Sequence, residues 1–148
     1  MRRARPETHN LALELLAREG GVGGDPEREV AAAERVFRKL GEPLSMLVGR
    51  AGFQSLLARA INLSAAESPL LRGIVGETLQ EDSLQGLRPA LPGADAAEVT
   101  EAMVNVVANL LWLLVTFIGR DLSMRLVREA WPGLGTGDSE SGASEVDR

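Results

Sequence analysis

His9 is the one histidine in the chain and cysteine is absent, so the residue types that most often serve as bases, nucleophiles and transition-metal ligands are nearly missing. A Ser-His-Asp triad needs a histidine held in place by a third group, and His9 stands close to an N-terminus expected to fray. The ferritin-type di-metal bundle takes Glu-x-x-His from two helices, which one histidine cannot supply. Disulfides, thiolate zinc sites and cysteine nucleophiles are excluded together. Carboxylates can still act in pairs as acid and base. Glu77, Glu81 and Asp82 are the densest acidic group, but a charge cluster in a loop is more often simply solvated. No catalytic residue, cofactor site or metal ligand is assigned, and the chain is not expected to be an enzyme.

Three other patterns invite a binding role. Gly20-Gly21-Val22-Gly23-Gly24 resembles a phosphate-cradling loop only in composition. It lacks the Lys-Ser/Thr of a Walker loop, does not match G-x-G-x-x-G and follows no strand, so it reads as a linker or helix stop. Arg50 and Arg59 could form a basic site, though exposed or salt-bridged arginines are the ordinary outcome. The third pattern is a stripe of Asn105, Asn109, Trp112 and Thr116 at helical spacing. Either these side chains are buried and satisfied by neighbouring elements, or they form an interaction surface where two copies meet and Asn side chains bond across the interface.

The element that must position that stripe is the long apolar helix expected from about Asp95. Residues 102 to 119 carry no charge and are closed by Glu101 and Arg120. Asp95 and Glu98 look like a capping box, with acidic charge near the positive end of the helix dipole. At about 100° per residue, Val99, Met103, Val106, Leu110, Leu113 and Phe117 form one apolar stripe. Val104, Val107, Leu111, Leu114, Val115 and Ile118 form a second. A helix apolar nearly all round belongs either in a protein core or in a bilayer. The uncharged run is long enough to span a membrane, but two Asn residues one turn apart would need partners in lipid, so the core is the favoured place. Gly119 is the expected point of a bend, or of a break restarted with Asp121 as cap, because an unbroken helix from 95 to 130 would be about 54 Å long. Trp131-Pro132-Gly133 should end it.

Three further helices, and a short fourth, can be drawn around this one. Thr8 or Asn10 could cap the first, with Leu11, Leu15 and Leu16 as its apolar stripe and Gly20-Gly21 as its stop. Asp25, Pro26, Glu27 and Glu29 mark the start of the second, which carries Val30, Ala33, Val36, Phe37 and Leu40 and should close at Gly41 after Arg38 and Lys39. A third is expected from Glu42-Pro43 to about Ala66. Its apolar set is Leu44, Leu47, Val48, Ala51, Leu56, Leu57, Ala60, Ile61 and Leu63, with Phe53 as a core residue. The small residues Gly49, Gly52, Ser55 and Ala58 should let the central helix approach closely. Between 67 and 93, Ser68-Pro69 can start a short helix through Leu71, Ile74, Val75, Thr78 and Leu79; a small hairpin or an irregular segment is the competing reading. Leu84, Leu87 and Leu91 would anchor the following loop. Leu-Leu-Ala-Arg occurs at 15–18 and at 56–59, too short to indicate a duplication.

The expected architecture is therefore all-α: a bundle of four to five helices around one long apolar helix. A single domain would span 8–132, between a disordered N-terminus (1–7) and a disordered acidic tail (133–148). Its core must be aliphatic, since the chain has three Phe, two Trp and no Tyr. A net charge of −5 argues against nucleic-acid binding, and Arg2, Arg3 and Arg5 form a short basic terminus rather than a binding element. The stretch after them, with Glu14, Arg18 and Glu19, does not read as a signal peptide. Lack of cysteine fits the cytoplasm. These features point to a small interaction or regulatory module whose partner is another protein, with a homodimer through the central helix as one form of it. A protein anchored by a single span at 102–119 is the second reading. The third is an enzyme or small-molecule binder with an apolar pocket beside the Asn/Trp stripe.

Overall fold

The structure, a computed structural model, describes residues 6–23, 25–72 and 93–133. These form five helices and, among the described residues, no strand: α1 (Pro6–Arg18), α2 (Pro26–Ala65), α3 (Pro69–Arg72), α4 (Ala96–Ile118) and α5 (Arg120–Ala130). Outside the described residues lie Arg2, Arg3 and Arg5, the carboxylates Glu77, Glu81 and Asp82, the helix-or-hairpin question beyond Arg72, the anchors Leu84, Leu87 and Leu91, and the acidic tail from 134 onward.

Helix α4 is the centre of the bundle and packs against each of the other four. From Ala102 to Leu114 every residue is buried except Asn105 and Trp112, which are half-buried. That degree of enclosure accounts for a helix apolar on almost every side. Its start differs from expectation in one respect. Asp95 occupies the N-cap position with extended backbone, but its side chain makes no capping hydrogen bond, so Asp95 and Glu98 act there only as charges near the helix dipole.

The second and third helices expected from the sequence are the two arms of α2, divided at Gly49 rather than at Gly41–Pro43. Asp25 caps α2 as anticipated, its Oδ1 accepting from the Arg28 N–H at 2.9 Å, with Pro26 in the first turn. The helix then continues through Gly41 and Pro43 instead of stopping, and breaks at Gly49, where φ is 85° and ψ 159°. Gly41 is buried for a packing reason: a Cβ there would lie 2.9 Å from Cε2 of Phe53. The chain turns at Gly49 so that the Phe53 ring rests on the bare backbone of Gly41. The stripe of small residues is also not the buried flank, for Gly49 and Ser55 are exposed while Gly52 and Ala58 are half-buried. Contact with α4 is made, with Ser64 bonded to Asn109, and the buried side of this arm carries Phe53, Leu57, Ile61 and Ser64 instead. Leu47, Ala51 and Leu63, expected to be apolar core positions, are exposed.

Helix α1 begins at Pro6, before Thr8 and Asn10, so neither is its cap; a proline in the first turn has no N–H to satisfy. Its buried side is Ala12, Leu15 and Leu16. It ends in a Schellman motif, with the Gly20 N–H on the Ala17 carbonyl at 3.1 Å and the Gly21 N–H on the Leu16 carbonyl at 2.9 Å. Helix α3 is a single turn starting at Pro69, with Leu71 buried.

Gly119 separates α4 from α5 at φ 93°, ψ 158°, nearly the conformation of Gly49. Asp121 is not a cap, since Gly119 itself holds that position. Both glycines occupy a region that residues with a Cβ reach only under strain, and a Cβ at either would meet nothing within 4 Å. The cost of a side chain there is thus purely in the backbone. Gly49→Ala and Gly119→Ala should each lower stability by about 1–3 kcal/mol. Gly93→Ala, at an equally open site without positive φ, should change it by less than about 0.5 kcal/mol. Urea midpoints of the three variants test this, and equal midpoints would show that the two bends are not strained.

Candidate functional site

The elbow of α2 opens a concavity. With Phe53 folded back on Gly41, the two arms of α2 and the end of α5 enclose an open groove of about 770 Å³. Gly41, Pro43, Phe53 and Ala130 supply apolar lining, and Met46, 87% exposed, stands on its edge. Arg38, Arg50, Glu42 and Glu129 supply charge of both signs. None of these four makes an ion pair among the described residues.

Lys39 lines the groove and also belongs to a clasp beside it. Its Nζ donates to Glu19 Oε2 at 2.7 Å, and the Trp131 indole N–H donates to the same oxygen at 2.8 Å. Arg35 Nε lies 3.9 Å from the other carboxylate oxygen, and Lys39 Nζ stands 5.5 Å from the centre of the Trp131 ring. Nearby, Arg18 donates to the Gly133 carbonyl at 3.4 Å. Together these bonds tie the end of α1, the middle of α2 and the chain just after α5.

Burial by itself raises the pKa of Glu19, and this is the largest single influence. The hydrogen bonds from Lys39 and Trp131, with the charges of Lys39 and Arg35, jointly outweigh it and hold the carboxyl below its ordinary value. A carboxylate with a depressed folded pKa contributes stability above its unfolded value, and that contribution is lost as pH falls through the folded value. Glu19→Gln should therefore be less stable than wild type at neutral pH, and the gap should close in the acid range at and below pH 4.5. A gap in urea midpoint that stayed constant with pH would show that the carboxylate charge contributes nothing to the clasp.

The stripe expected on the central helix is not one surface. Asn109 is buried, and its Nδ2 donates to Ser64 Oγ at 2.9 Å, while the Ser64 hydroxyl donates to the Ala60 carbonyl at 2.9 Å. Asn105 and Trp112 are half-buried. Thr116 is exposed and donates to the Trp112 carbonyl at 2.9 Å. None of the four lines the elbow groove. Arg50 and Arg59 are both exposed, but only Arg50 reaches the groove, and His9 is exposed on α1. In the glycine loop, the Val22 N–H donates to Glu29 Oε1 at 2.8 Å, so a carboxylate occupies an amide that a phosphate would need. Among the described residues, the buried Ser123 hydroxyl has no hydrogen-bond partner.

Sequence reasoning missed both the groove and the clasp. Glu19, Trp131 and the sole lysine, Lys39, lie far apart along the chain and show no common spacing. What fold and site define is an all-α bundle on one apolar core helix, with a charged-rimmed groove at the elbow of its longest helix. No protein-family model matches the chain, and no curated protein and no solved structure matches it.

Proposed function

We propose that this chain is a non-enzymatic helical interaction or regulatory module, cytoplasmic, which meets another protein through apolar side chains at its two bends. The observation behind this reading is where the large exposed hydrophobics lie. Met46 and Leu47, 87% and 51% exposed, come just before the Gly49 break, and Phe117, 67% exposed, comes just before Gly119. Contiguous exposed apolar surface marks an interaction site, and Met46 beside the apolar lining of the elbow groove, with Leu47 next to it in the chain, is the place where such surface gathers. Of the central helix, the middle is enclosed and Asn109 is bonded within the chain, so self-association by this helix would use its exposed end at Thr116 and Phe117. Purified wild type and a Met46→Glu, Leu47→Ser, Phe117→Ser triple variant can be compared by light scattering and by quantitative cross-linking in cells. The module reading requires that the triple variant, folded by circular dichroism, lose a self- or partner complex that wild type forms. Identical complexes from both proteins would reject it.

Membrane association is a second reading with an observation of its own. Helix α4, 23 residues long, is the one described helix long and apolar enough to cross a bilayer; its most apolar 18-residue window has a mean hydropathy of 1.8, although 61% of that window is buried against the rest of the chain. That burial favours the core. Recovery in the membrane fraction after alkaline carbonate extraction would select the span.

A further inference from the structure

We infer that α5 is a hinged strap: it turns about Gly119 at one end, is latched by Trp131 at the other, and opens while the rest of the bundle stays folded. The strap requires no partner, and so stands apart from the interaction-module reading. Its hinge is bare. Gly119 has a φ of 93°, and a Cβ there would meet nothing within 4 Å. From Thr116 to Asp121 every residue except the half-buried Ile118 is exposed, so little packing opposes rotation at the junction.

The strap itself is thinly attached along its length. Three of its eleven residues are buried, Ser123, Leu126 and Val127, with Leu122 and Ala130 packed partly beside them, whereas α4 buries twelve of twenty-three. One of the three contributes a hydroxyl that has no hydrogen-bond partner among the described residues. Docking therefore costs that hydroxyl its hydration, and opening restores it. Segments with few buried apolar contacts open at lower free energy than the core. Eleven residues make only a marginal helix without tertiary support, so α5 should unwind as it leaves and its amides should then exchange with solvent.

The far end is where α5 is held. Trp131, 4% exposed, donates its indole N–H to Glu19 Oε2 at 2.8 Å, and Lys39 Nζ donates to the same oxygen. Arg18 donates to the Gly133 carbonyl at 3.4 Å. Arg18 and Glu19 stand at the end of α1 and Lys39 within α2, so the latch ties the strap to two elements that do not move with it. Opening also changes the groove. Glu129 and Ala130 form its α5 wall, and the groove is complete only while the strap is latched. Whatever binds against that wall favours the closed state, and release of Trp131 removes the site.

Amide hydrogen exchange of the full chain at neutral pH, under native conditions, tests this. In wild type the Leu126 and Val127 amides should exchange at least about 10-fold faster than those of Leu110 and Leu111 in α4. Trp131→Phe, which removes the latching N–H, should speed exchange in α5 by about 10- to 100-fold. Ser64→Ala removes the partner of Asn109, a bond between α2 and α4 that does not involve α5. It should speed exchange in α4 by about 5- to 100-fold and leave α5 unchanged, because the strap opens without breaking that bond. Equal protection of α4 and α5 in wild type would overturn the strap, as would a Ser64→Ala variant in which both helices accelerate together. Unchanged α5 exchange in Trp131→Phe would overturn the latch.

Discussion

Trp131→Ala is expected to destabilise the protein by about 3–5 kcal/mol, the range for truncating a buried tryptophan. Trp131 is 4% exposed although it follows the last turn of α5. Its ring lies beneath Lys39 and its N–H is one of two donors to Glu19 Oε2. Truncation removes the packing, the cation–π contact and a bond to a charged acceptor at once. Trp131→Phe separates these contributions: it keeps most of the apolar volume and loses the N–H, so it should cost about 1.5–3 kcal/mol. Chemical denaturation of both variants reads the difference. Equal losses would mean that the ring's packing adds nothing beyond the hydrogen bond, and two negligible losses would mean that the end of α5 is not docked at all. Because Ala130 lines the groove and Lys39 spans groove and clasp, undocking this end should also weaken any complex made there.

Leu110→Ala should cost about 2–5 kcal/mol. Leu110 is fully buried at the middle of α4, where the helix is closed in by its neighbours and a cavity cannot easily collapse. Leu47→Ala removes the same atoms from a side chain that is 51% exposed and should change stability by less than about 0.5 kcal/mol. The contrast bears on function as well as folding. A large loss at Leu110 in detergent-free protein places α4 in a protein core, whereas protein recovered only in detergent would reject the bundle as the working state. The comparison also keeps Leu47 available to a partner, since its removal leaves the fold intact.

Some features of this molecule follow from the sequence alone because their causes are local. Asp25 caps α2 through the amide three residues ahead, and Gly20 stops α1 through carbonyls within one turn. Gly119 bends the chain where a glycine interrupts an otherwise apolar run, and Trp131-Pro132-Gly133 ends α5. The all-α class and the central position of residues 96–118 were legible for a similar reason: a helix apolar on nearly every face has to be surrounded. Other features were decided only by tertiary structure. Gly41 and Pro43 look like a helix stop, yet α2 passes through them, because Phe53 packs on Gly41 after the turn at Gly49. Asn109 finds Ser64 forty-five residues away, and Glu19 gathers Lys39 and Trp131 from other elements. A capping or stop signal acts over one helical turn and can be read along the chain. The partner of a buried polar group, the flank a helix hides and the groove an elbow opens depend on which elements meet in space, and that is settled when the core is packed.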